Sequence, residues 1–361
     1  MTGHATLAPS AADQWGPGRC AASVTMQQAH PQDDDTEAAR EGTAAHHVAT
    51  TGEDCTHAPN GVPIDDDMRD GAAEYQRALA SCGDGLRWHH ERQVSLRWLH
   101  PECYGTPDSF AIDTERREAW LVDYKYGHRY VDAYRNPQLT LYAMGVMHEH
   151  VGPPETWRGW RVHYIIVQPR SYRAPSQWQC SGEALADEVP QYRKAAYAAL
   201  APGAQAVTGD WCRDCTARHD CGAFWLTVGN ALDVARRAER FNPSPAAVGS
   251  QLIEIEAAIN RLRAMESGLT EAALGMVRGG SAVPGWRAET KQGRLAWTVP
   301  VDEVVQLGEV LGVELSKPGV VTPTQAKKLL DPAVIAQYAA RPSGGVALVR
   351  DDGSAATRRF G

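Results

Sequence analysis

The 361-residue chain carries 36 Lys and Arg against 44 Asp and Glu, a net charge of −8, with 43% hydrophobic and 22% charged residues. That length supports a sizeable core and about two domains, and the composition is ordinary for a soluble globular protein. The net charge argues against bulk attraction to nucleic acid, although a local basic groove is compatible with it. No apolar run approaches the roughly 20 residues needed to span a bilayer, and no basic-then-apolar leader opens the sequence, so a cytoplasmic protein without a membrane partner is expected. In such a compartment a cluster among the eight cysteines points to metal ligation rather than to disulfides.

In chain order, residues 1–40 are rich in Ala, Gly, Gln and Asp, with Cys20 standing alone. A helix is predicted over 36–51 and another over 67–82, after the Pro63 and Asp65 start signals. The acid runs Asp33-Asp34-Asp35 and Asp65-Asp66-Asp67 read as solvated loops. Strands are predicted over 91–99, 109–112 and 119–124, the last two joined by the polar hairpin connection 113–118. Leu139, Tyr142, Ala143 and Met147 give 136–147 a helical spacing. A strand over 160–167, closed by Pro169, and a helix over 182–200 follow. The cysteine-rich segment from Cys212 to Cys221 ends the first domain, taken as 1–230. An amphipathic helix over 244–276, with Leu252, Ile255, Ile259, Leu262 and Met265 three or four apart, opens a mostly helical region, 231–361, whose tail is helical notably at 324–330. The order helix, three strands, helix, strand, helix predicts an α/β domain.

The chemistry gathers in the run Trp120 to Gly127. Side chains alternate along a strand, so Asp123 and Lys125 share a face. An acid that holds a divalent metal beside a cation that orients water is what phosphodiester hydrolysis needs. The apolar neighbours Leu121 and Val122 imply burial, where charges are costly unless paired or metal-bound. Asp108, after Gly105-Thr106-Pro107, can face Asp123 across the hairpin; converging carboxylates repel unless a cation separates them, and hard oxygens suit Mg²⁺ or Mn²⁺. Alone, Asp108 reads equally as a turn residue. Gln138 and Tyr142 lie one helical turn apart, and alone read as a half-buried helix face. His46, four residues after Gly42, alone reads as structural; as a ligand it would favour manganese.

These pieces, G-x-x-x-H, G-x-x-D, D-x-K and Q-x-x-x-Y in that order, resemble the RecB-type nucleases of the PD-(D/E)xK superfamily over about residues 20–221. The resemblance implies a central mixed sheet flanked by helices, a restriction-endonuclease-like core with the metal at one end. It implies Asp108, Asp123, the Tyr124 carbonyl and His46 as metal ligands. Lys125 would orient or activate the attacking water, and Gln138 and Tyr142 would contact the DNA backbone or support the site. Glu91 is a further candidate acid.

Cys212-x-x-Cys215-x5-Cys221 supplies three ligands of a four-ligand centre, and Cys20 is taken as the fourth. Four thiolates suit a [4Fe–4S] cluster or Zn²⁺, and spacing does not separate the two. His219 would replace a cysteine in a zinc site. The arrangement is similar to the iron–sulfur staple of AddB-type helicase-nucleases and of the CRISPR-associated four-cysteine exonucleases, which implies the cluster. Cys55, Cys82, Cys103 and Cys180 read as ordinary free thiols.

The runs Ala39 to His46, Asn136 to Leu139, Gln168-Pro169-Arg170, Pro284-Gly285-Trp286 and Thr322-Pro323 resemble an uncharacterised phage and prophage branch of that superfamily. Its relatives usually have Cys-Pro where this chain has Cys20-Ala21. The function implied is a metal-dependent DNA nuclease, of exonuclease type, in phage recombination or DNA processing. DNA, a phage single-strand annealing or recombination protein and a homo-oligomer are the partners to expect. The rival expectations are a DNA-end or single-strand binding module without turnover, and a structural phage protein whose clasp holds zinc.

Overall fold

The computed structural model describes residues 5–31, 36–53, 55–171, 175–236, 244–292, 296–315, 323–326, 329–340 and 343–350. Two compact units divide the chain, Met1–Leu269 and Thr270–Gly361. In the first, the short helices α1 (Ala12–Trp15) and α2 (Ser23–Ala29) precede α3 (Glu37–Thr51) and α4 (Asp66–Ser81). Then come β1 (Trp88–His90), β2 (Val94–Ser95), β3 (Tyr104–Gly105), β4 (Ser109–Asp113) and β5 (Glu118–Tyr124). After these, α5 (Pro137–His150), β6 (Arg161–Val167), β7 (Ser176–Ser181), α6 (Gly182–Ala199) and α7 (Gly222–Arg236) follow, and α8 (Pro245–Arg278) crosses the division.

The architecture is α/β, with a mixed sheet flanked by helices. Its five strands run in the order β1-β4-β5-β6-β7. Only β5 and β6 pair in parallel, and α5 makes the crossover that a parallel pair requires. Alternation along β5 sets the two faces. Ala119 and Leu121 enter a core with Leu139 and Ala143 of α5 and Leu185 and Val189 of α6. Val122 and Tyr124 enter a second core with Ala45 and Val48 of α3 and Met68, Ala72 and Tyr75 of α4. Asp123, with the parity of Leu121, therefore faces α5.

Local signals explain the helix starts. The Thr36, Asp65, Asn136 and Ser181 side chains each accept a backbone N–H from the first turn of α3, α4, α5 and α6. Asp65 to Asp67 thus cap and open a helix rather than forming a solvated loop, and residues 33–35 lie outside the described residues. The strand expected over 91–99 is also corrected. Glu91 adopts a left-handed φ of 45°, which ends β1, and Val94–Ser95 pair only with Tyr104–Gly105. Val94, Leu96 and Leu99 are buried all the same, as loop-borne members of the α5-side core.

In the second unit, α9 (Val301–Leu311), α10 (Pro323–Ala326) and α11 (Pro332–Tyr338) make a partly helical tail; of the predicted 324–330 helix, 324–326 are helical, 327–328 lie outside the described residues, and Leu329 and Leu330 form a turn and a bend instead. Two antiparallel ladders were not anticipated. They join β8 (Trp286–Gln292) to β11 (Ser343–Arg350) and β9 (Ala296–Trp297) to β10 (Ala339–Ala340). Among the described residues no helix is long and apolar enough to cross a membrane.

The sheet and α4 approach closely at Gly71, where a Cβ would sit 2.5 Å from the Tyr124 hydroxyl oxygen and 3.0 Å from Pro169 Cγ. Tyr124 is fully buried and has no room to retreat. Gly71→Ala is expected to cost about 1–3 kcal/mol, read as a lower urea midpoint at unchanged m value. Among the described residues the Tyr124 hydroxyl has no hydrogen-bond partner, so adding Tyr124→Phe to Gly71→Ala should recover most of the loss. An unchanged midpoint for Gly71→Ala would contradict this packing.

Candidate metal centre and cysteine clasp

Where β4 begins and β5 ends, pairing of Ser109 with Val122 sets the preceding Asp108 beside Asp123. Both are buried, at 9% and 2% exposure. Asp108 Oδ2 accepts the Tyr124 backbone N–H at 2.6 Å and lies 3.7 Å from His46 Nδ1. Asp123 Oδ1 accepts from Lys125 Nζ at 3.1 Å and from Gln138 Nε2 at 2.9 Å. Gln138 Oε1 in turn accepts from Lys125 Nζ at 3.0 Å, closing a triangle of acid, amide and ammonium. Asp123 Oδ2 lies 3.0 Å from the same ammonium but accepts no hydrogen bond among the described residues.

The structure brings together His46, Asp108, Asp123, Lys125, Gln138 and Tyr142, each from a different expected motif position. Lys125 and Gln138 meet because strand parity sends both Asp123 and Lys125 toward α5. Tyr142, one turn along α5, is buried and hydrogen-bonds Gln138 rather than facing solvent. Tyr124 contributes its N–H to Asp108, and its ring packs edge-on against His46 with centroids 5.2 Å apart, fixing the imidazole.

Glu91, the further candidate acid, enters the centre directly. Ligand atoms of His46, Glu91 and Asp108 all lie within 4.8 Å of one another. Its N–H donates to the Asp108 carbonyl at 3.0 Å, which holds the left-handed turn against its intrinsic cost. Glu91 was hard to read because it sits at a break in a strand rather than within one.

Sequence reasoning missed the support behind Asp108. Tyr75 donates to Ser109 Oγ at 2.7 Å, and His90 Nδ1 lies 2.6 Å from the same oxygen. Arg170 makes a bidentate pair with Glu41 at 2.7 and 3.0 Å and stacks over Tyr126 at 3.7 Å, tying α3 and its histidine to the β6 end of the sheet. The run Gln168-Pro169-Arg170 was noticed, but nothing in sequence shows that its partner is Glu41, 129 residues away.

Loss of water and the facing Asp123 carboxylate push Asp108 up to about 6, against the lowering influence of His46 and Lys125. Glu91 is exposed as a residue, yet its carboxyl end is turned into the site, where desolvation and then Asp108 push it up to about 7. Burial works to lower the Lys125 ammonium, but Asp123 and Asp108 outweigh it and the net direction is up. Three acids thus converge around one lysine and one histidine. A hard divalent cation fits this donor set: the carboxylates are short of positive charge, and the open lone pairs of Asp123 Oδ2 are buried.

The second constellation closes the sheet domain. Cys20, Cys212 and Cys221 are buried and Cys215 is half-buried, and all four line one small cavity of ≈ 20 Å³ beneath Trp211 and Phe224. The Val207 N–H donates to Cys20 Sγ and the Gly209 N–H to Cys212 Sγ, each at 3.4 Å, and the Ala217 N–H donates to Cys215. His219 does not line the cavity; its ring packs edge-on against His30. Desolvation raises the Cys212 thiol and pushes Cys215 up to about 11, with the neighbouring sulfurs adding to both.

Hydrogen bonds knit the Cys20 segment to the clasp. Gln14 donates to the Asp214 carbonyl at 3.0 Å, and Gln27 Oε1 accepts the Thr216 N–H at 3.4 Å. Buried Arg218 donates to the Cys215 and Ala264 carbonyls at 2.8 and 2.9 Å, anchoring the clasp to α8. The other cysteines are free thiols, and burial pushes Cys82 and Cys180 to about 11 and Cys103 to about 12.

The chain belongs to the family described as "Protein of unknown function (DUF2800)", which matches residues 4–58 and 63–354 and so takes in both constellations.

The raised carboxyl values set a sign for stability. An acid whose folded pKa lies above its unfolded value weakens the fold as pH rises from the unfolded pKa, near 4, through the folded one. For Asp108 and Glu91 that loss develops between about pH 4 and 7 and is complete above it. Mn²⁺ is therefore expected to raise the thermal midpoint over an EDTA control by about 3 °C or more at pH 8, and by much less at pH 5. Asp108→Asn should remove most of the pH 8 increment; a shift of equal size in that variant would contradict the assignment.

Proposed function

We propose that the protein is a metal-dependent deoxyribonuclease of the RecB-like type, acting as an exonuclease in phage DNA recombination or processing, with a [4Fe–4S] clasp. The observation that carries this reading is the meeting of Asp108, Asp123 and Lys125 at one end of β4 and β5, with Gln138 holding the lysine on its acid. A binding module has no use for a buried acid pair that must be offset by a cation.

Bound by Asp108, Asp123, Glu91 and His46, a divalent ion would neutralise phosphate charge and lower the pKa of a water. The protein's own residues do the rest. Lys125, kept charged by Asp123 and Asp108, donates to the attacking water or to a phosphate oxygen rather than acting as a base. Gln138 fixes the ammonium's direction, and buried Tyr142 fixes Gln138. The Tyr124 N–H leaves Asp108 one oxygen to accept it and one free to ligate.

For the clasp, the resemblance to nucleases with an iron–sulfur staple supports the cluster. Backbone N–H groups aimed at the Cys20 and Cys212 sulfurs are among the features that tune such clusters.

Purified protein with end-labelled DNA and Mn²⁺ should release nucleotides, and Lys125→Ala should slow this by about 10²–10³-fold. Asp123→Asn should cut no faster than background, with the brown colour and equal iron and sulfide content of the clasp retained. Equal cleavage by wild type and Asp123→Asn would overturn the nuclease reading, and a colourless zinc-loaded protein would overturn the cluster.

A further inference from the structure

A groove of ≈ 890 Å³ leads away from Lys125 and Gln138. One wall is the loop 129–136, and the other is the clasp segment 208–214 with the α8 face from Ile253 to Ala264. Six cations line it, Arg19, Lys125, Arg129, Arg135, Arg213 and Arg261, against five acids. Four of those cations already have acidic partners: Arg19 pairs with Asp13 at 3.0 Å, Arg129 with Asp214 at 2.5 Å, Lys125 with Asp123 at 3.0 Å and Arg135 with Glu188 at 3.7 Å. Arg213 and Arg261 make no ion pair among the described residues. In a chain of net charge −8, these two arginines give the groove cations available to an anionic ligand.

The loop also presents two aromatic rings, Tyr130 at 40% exposure and Tyr134 at 62%. Tyr134 rests on Trp178 at 73°, which fixes the ring while leaving it open to the groove. The loop is held in place rather than left to fluctuate. Buried Gln168 accepts the Val131 N–H at 3.0 Å and donates to the Gly127 and Arg129 carbonyls. Ser176 accepts the Ala133 N–H at 3.0 Å, and Asp132 accepts the Tyr134 N–H at 3.0 Å. Arg135 takes a left-handed φ of 48°, conformational strain of the kind that persists where surrounding bonds over-determine it.

We infer that this groove guides a single, unpaired DNA strand into the Asp123–Lys125 centre, with Tyr134 and Tyr130 stacking on its bases and Arg135, Arg213 and Arg261 tracking its phosphates. The reasoning for one strand is that stacking needs exposed base faces, and a duplex keeps its faces covered. Arginines along the same path supply contacts that do not depend on sequence. The inference rests on the proposed action on DNA and specifies the form of DNA accepted.

Fluorescence anisotropy in EDTA, with the full chain and a labelled oligothymidine of about 16 nucleotides, separates binding from cleavage. Wild type should hold the single strand about tenfold or more tighter than a blunt duplex of equal length. Tyr134→Ala should weaken the single strand about tenfold and leave duplex binding unchanged, while Tyr134→Phe should bind as wild type. Arg213→Glu combined with Arg261→Glu should weaken binding and reduce the salt slope by about 2. The exposure of Tyr134 means its truncation leaves the core intact. Wild-type affinity in Tyr134→Ala, or equal affinity for duplex, overturns the inference. Strand binding that depends on Tyr134 in a protein that fails to cut keeps the groove and removes only the nuclease reading. Cutting without Tyr134 dependence does the reverse.

Discussion

Asp108 and Asp123 stand side by side, nearly without water, where β4 begins and β5 ends. Removing a carboxylate from water costs several kcal/mol even after relaxation, and a second carboxylate beside it raises that cost. The surrounding arrangement answers this repulsion. Asp108 receives the Tyr124 N–H and faces His46, and Asp123 receives Lys125 and Gln138. The offset is incomplete, since Asp108 and Glu91 are pushed up toward neutrality. A site with less positive charge than its acids require could hold a cation.

Legibility followed the range of the interaction. Helices with a capping side chain and an apolar face were readable to within a few residues at α3, α4, α5 and α6, because those signals are local. The D-x-K corner was readable because strand parity alone puts Asp123 and Lys125 on one face. Strand 91–99 was misread because Val94 and Leu96 alternate as a strand would, while the left-handed Glu91 turns the chain away from the sheet. β7 was missed because Ser-Gln-Trp-Gln-Cys-Ser is a polar edge strand whose pairing with β6 no local pattern announces. The periodicity of α8 was visible, but not what covers it. Leu262 and Met265 pack near Phe224 and Val228, whereas Leu252, Ile255 and Ile259 stay exposed.

The clasp connects segments far apart in sequence. Cys20 meets Cys212, Cys215 and Cys221 although every strand of the five-stranded sheet lies between them in sequence. Closing so long a loop is entropically costly, and the interactions that close it are correspondingly many: the Gln14 and Gln27 hydrogen bonds and the Arg218 anchor. The same closure forms one wall of the groove that begins at Lys125. Ordering the clasp and shaping the approach to the acids are therefore one structural event, and cysteine spacing alone could not have shown that link.

A crystal soaked in Mn²⁺ and measured for anomalous scattering at the manganese edge tests the central claim most directly. The account predicts a difference peak among the carboxylates of Asp108, Asp123 and Glu91 and the imidazole of His46, and its disappearance in Asp108→Asn. A peak elsewhere, or none at this corner at saturating Mn²⁺, would contradict it.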